Sequence, residues 1–62
     1  MNHDQARREV GRLMAERDCS NVTASMLSIA RDYANYDYEM NAGMAMSLLK
    51  ILRSQPLYGV NQ

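Results

Sequence analysis

Apolar residues recur at helical spacing along three stretches of this chain, separated by short polar ones. In the first, Ala6, Val10, Leu13 and Met14 fall at i, i+4, i+7 and i+8, while Arg8, Arg12 and Ala15 point the other way. Asn2, three residues before Gln5, fits a capping box, and Asp4 stands one turn ahead of Arg8 in the favourable acid-first order. A helix is therefore predicted near 4–17. The polar run Asp18-Cys19-Ser20-Asn21 predicts a turn with Asn21 as the next N-cap. A second helix near 22–35 places Val22, Met26, Ile29, Ala30, Tyr33 and Tyr36 on one stripe, with Leu27 and Ala34 on its shoulder.

The third helix, near 38–53 and capped by Asp37, carries two apolar lines rather than one. Met40, Met44, Leu48, Ile51 and Leu52 form the first, and Ala42, Ala45, Met46 and Leu49 the second. Together they cover roughly two-thirds of the circumference, more than the stripe of somewhat over 100° that one core contact uses. Pro56 stops this helix, and Lys50 and Arg53 suit its C-terminal dipole. The stretch from Tyr36 to Asn41 has no Gly or Pro, so one helix over 22–53 is the alternative. A break is preferred, because helical stepping from Tyr33 would set Asp37 at the centre of the apolar stripe. The expected fold is thus all-α: a single small three-helix domain over 1–62, with a helical hairpin as the second choice.

Length changes the picture. Below roughly 70–80 residues a single core supplies little stability, and small domains recruit disulfides, a metal or a partner subunit. Cys19 is the one cysteine and His3 the one histidine, so an internal disulfide and a closed zinc site are both ruled out of the expected design, and no cofactor or metal is expected. A homodimer through Ala42, Ala45, Met46 and Leu49 is the expected remedy: the first line of the third helix would close the core and leave the second exposed.

Seven Lys and Arg balance seven Asp and Glu, so no net field draws the chain to nucleic acid or an anionic membrane. The longest apolar stretch, from Ala42 to Leu52, is far short of a membrane span, and the polar N-terminal run does not read as a secretory signal. A cytoplasmic setting is expected, where a lone thiol is at home. Asn21-Val22-Thr23 matches a glycosylation sequon but reads better as a helix start.

No acid/base pair, nucleophile set or phosphate loop appears, and no enzyme is expected. Tyr33, Tyr36, Asp37, Tyr38 and Glu39 crowd large amphipathic rings and acids into one helix corner, the composition of a protein-binding hot spot. The function expected is a non-catalytic interaction module, an inhibitor or regulator that meets a protein partner through this corner and an apolar helix face. Small helical chains of this kind are common among phage and mobile-element accessory proteins, an association of size and not a resemblance. The alternative is a nucleic-acid-binding regulator using Arg7, Arg8 and Arg12, whose charges are offset by Asp4, Glu9, Glu16 and Asp18 nearby.

Overall fold

The computed structural model describes residues 1–59, and among them the chain forms three α-helices: α1 (His3–Glu16), α2 (Ala24–Ala34) and α3 (Ala42–Arg53). The three-helix reading is correct and the continuous helix over 22–53 is not formed. The capping box that opens α1 is present, with the Asn2 side chain accepting from the Gln5 N–H at 2.8 Å and the Gln5 side chain accepting from the Asn2 N–H at 3.0 Å.

The other two starts lie further along the chain than the spacing predicts. α2 is capped by Thr23, whose Oγ1 accepts from the Met26 N–H at 3.2 Å, and not by Asn21. α3 is capped by Asn41, whose Oδ1 accepts from the Met44 N–H at 2.8 Å, and not by Asp37. In both cases the cap directly follows a buried apolar residue, Val22 or Met40. Each plugs the core from non-helical backbone, and the helix starts only after it.

The break after α2 is a Schellman turn. The Tyr36 N–H donates to the Tyr33 carbonyl at 3.2 Å and the Asp37 N–H to the Asp32 carbonyl at 2.7 Å, around Tyr36 in the left-handed region at φ 65°. The connector then alternates, with Tyr38 half-buried against the core, Glu39 exposed and Met40 buried.

α1 packs against both other helices, while α2 and α3 scarcely meet. The core is Ala6, Val10 and Leu13 of α1, Ala30 and Tyr33 of α2, Met40, and Ala45, Leu48, Leu49 and Leu52 of α3. Beyond α3 the chain folds back on the end of α1. The Asp18 N–H donates to the Pro56 carbonyl at 2.8 Å and the Tyr58 N–H to the Glu16 carbonyl at 3.1 Å. The side chains of Leu57 and Tyr58 stay exposed in this return, and Val60 lies outside the described residues.

Candidate functional site

The Tyr/acid corner is built around an arginine that the spacing assigns to the solvent face. Arg7 is only 4% exposed. Its guanidinium lies 4.3 Å from the centroid of the Tyr33 ring and 4.6 Å from that of Tyr36, so it is held between two aromatic faces. It donates to the Tyr33 carbonyl, one of the carbonyls at the end of α2, and approaches Glu39 at 3.4 Å. The Tyr33 hydroxyl meets His3 Nδ1 at 2.6 Å, and the Tyr36 hydroxyl donates to Asp4 at 3.0 Å. Burial pushes the Tyr33 phenol up, and the bond to Asp4 does the same for Tyr36, so both rings stay neutral.

The five residues grouped as a binding patch therefore divide. Tyr33 is fully buried, and Tyr38 packs on the core. Tyr36, Asp37 and Glu39 remain on the surface, Tyr36 with 57% of its area open.

The helix-one arginines divide as well. Arg7 is interior, a placement that corrects its assignment to a phosphate-binding face. Arg12 is held by Glu9 at 2.6 Å and Glu16 at 2.8 Å. Arg17 donates to the carbonyls of Arg53 at 2.7 Å and Gln55 at 2.8 Å, closing the C-terminus of α3. Arg8 is exposed and makes no ion pair among the described residues. The set Arg7, Arg8 and Arg12 thus presents one uncommitted cation.

The face assigned to self-association also changes. Ala45 and Leu49 are core residues, whereas Ala42 and Met46 are exposed, Met46 by 51%. The core draws from both lines of α3, because the centre of the wide apolar arc turns to α1. Both flanks of the arc are then left over, Ala42 and Met46 on one and Met44 and Ile51 on the other.

The second flank faces α2 across an open groove of about 600 Å³. Met26 and Ile29 of α2 and Met44, Leu48 and Ile51 of α3 give it apolar walls, with Met40 between them. Thr23, Ser25, Asn41 and Ser47 supply neutral polar positions, and no charged residue lines it among those described. Met44 stands 47% exposed there. The groove exists because α1 holds the two helices while little packing joins them to each other, and the residue spacing of α3 alone gives no sign of it.

Cys19 is half-buried, and burial, with Asp18 beside it, holds its thiol above the ordinary value, the opposite of an activated nucleophile. Among the described residues no three His, Cys, Asp or Glu side chains gather as metal ligands, and no helix is long and apolar enough to cross a membrane. No family model, no curated protein and no solved structure matches this chain.

Proposed function

We propose that the chain is a non-catalytic protein-interaction module, an inhibitor or regulator acting in a reducing, cytoplasmic compartment, and that its contact surface is the α2–α3 groove. The observation that carries this reading is the groove's composition: apolar walls, neutral polar positions and no charge. Apolar side chains on two splayed helices form the kind of trough that receives the apolar ridge of another helix. Methionines suit such a trough because the unbranched, polarisable thioether adapts to the shape it meets. Burying the groove removes exposed apolar surface from water at about 25 cal/mol per Å². The exposed edge of Tyr36, Asp37 and Glu39 offers a second, polar contact of the kind found at interface rims.

Site-directed photocrosslinking in the producing cell tests this. A photoreactive residue replacing Ser47, in the groove, should give a light-dependent adduct with a polypeptide, lost when Met44→Glu is added. The same residue replacing Arg8 should give none. Nucleic-acid adducts from position 8, or no polypeptide adduct from position 47, would contradict the reading.

A further inference from the structure

We propose that the occupant of the α2–α3 groove is a second copy of this chain, packed about a two-fold axis beside α3. The inference rests on the groove being a protein-contact surface and names what fills it. Its first support is electrostatic. In a two-fold interface, residues near the axis meet their own copies, so a charge placed there faces its like. Seven basic and seven acidic residues are spread along the chain, yet none lines the groove among the described residues. A face without charge is one of the few that meets itself without repulsion.

The second support is shape. α3 is both a wall of the groove and a ridge able to enter one: Met44, Leu48 and Ile51 follow helical spacing, and Met44 projects. Gly43 and Ser47 flank it with little bulk, and a Cβ added at Gly43 would meet only the Asn41 side chain, at 3.4 Å. A partner helix therefore approaches closely on either side of Met44. One surface holding ridge and trough together is the condition for self-complementarity. A foreign partner then meets the edge of Tyr36, Asp37 and Glu39.

Sedimentation of the full chain at micromolar concentration should give a dimer, and its melting temperature should rise with concentration, as it does when the folded state is an assembly. Met44→Glu and, independently, Ser47→Arg should raise the dimer Kd about 30-fold or more. Both positions are exposed, so the helical circular dichroism should survive at low temperature. Met46→Glu, on the opposite flank of α3, should leave the Kd within about two-fold, as remote surface changes do. A monomer with a concentration-independent melting temperature would overturn the proposal, and so would dissociation by Met46→Glu in place of Met44→Glu. A monomeric chain that still gives the Ser47 adduct with a foreign polypeptide would sink the second copy alone and leave the interaction module standing.

Discussion

Arg7 is the residue whose role the spacing conceals most. On a helical wheel it lies about 20° from Met14, at the shoulder of the apolar stripe of α1. A cation at a shoulder is read as solvated. The structure instead buries its stem and stacks its guanidinium between two rings, which satisfies the Tyr33 carbonyl and covers the end of the core. The contact with Glu39 adds little, because that carboxylate is 92% exposed and screened by water. Arg7→Ala should therefore cost about 2–4 kcal/mol in urea unfolding, from lost packing and the lost charge-assisted bond to a carbonyl that keeps only the Tyr36 N–H, against about 0.5 kcal/mol or less for Arg8→Ala. Equal effects would remove Arg7 from the core account. Tyr36 is the matching case for backbone: a bulky residue holds the left-handed position where glycine is usual, and its ring covers Arg7. Tyr36→Ala and Tyr36→Gly both lose the ring, but only alanine keeps the strain. Alanine should be the less stable variant by about 1 kcal/mol; equality would show that the turn is not strained.

At the scale of elements, what was legible followed from local chemistry. The Asn2–Gln5 box, the stripe of α1 and the stop before Pro56 depend on neighbours in sequence, and all three stand. The starts of α2 and α3 did not, because each has two competent caps close together, Asn21 and Thr23, or Asp37 and Asn41. The choice is made by the core, which takes Val22 and Met40 from non-helical backbone and delays both helices. α1 and α3 are joined further by charge: Glu9 is held by Arg12 at 2.6 Å and reached by Arg53 at 3.5 Å. The hydrogen bond from Arg12 lowers the Glu9 carboxyl below its ordinary value, with a smaller contribution from Arg53. A lowered folded value gives stabilisation that is full above the unfolded value of about 4.3 and is lost as pH falls through the folded one. Glu9→Gln should consequently be less stable than the wild type at neutral pH, and the gap in urea unfolding should close at about pH 2. A gap unchanged by acid would mean that packing, not charge, is what Glu9 contributes.

For the whole molecule, the excess of apolar surface on α3 was visible in the chain, and its destination was not. Two lines of side chains on one helix admit a core on either line or between them. The outcome depends on where α1 lies, which no spacing within α3 encodes. Because α1 takes the middle of the arc, Ala45 and Leu49 go inside, and Met44 and Ile51 are left facing Met26 and Ile29 across the groove. The methionines are natural reporters of which surface is used. Met26, Met40 and Met44 line the groove, whereas Met14 packs at the edge of the core and Met46 lies on the far flank of α3. The most direct test is methyl-detected NMR of protein labelled at its methionine methyl groups, followed from millimolar to micromolar concentration. The account predicts that the Met26, Met40 and Met44 signals shift together on dilution while Met14 and Met46 stay in place. Movement of Met46 with the groove methionines unmoved, or no movement at all, would contradict it.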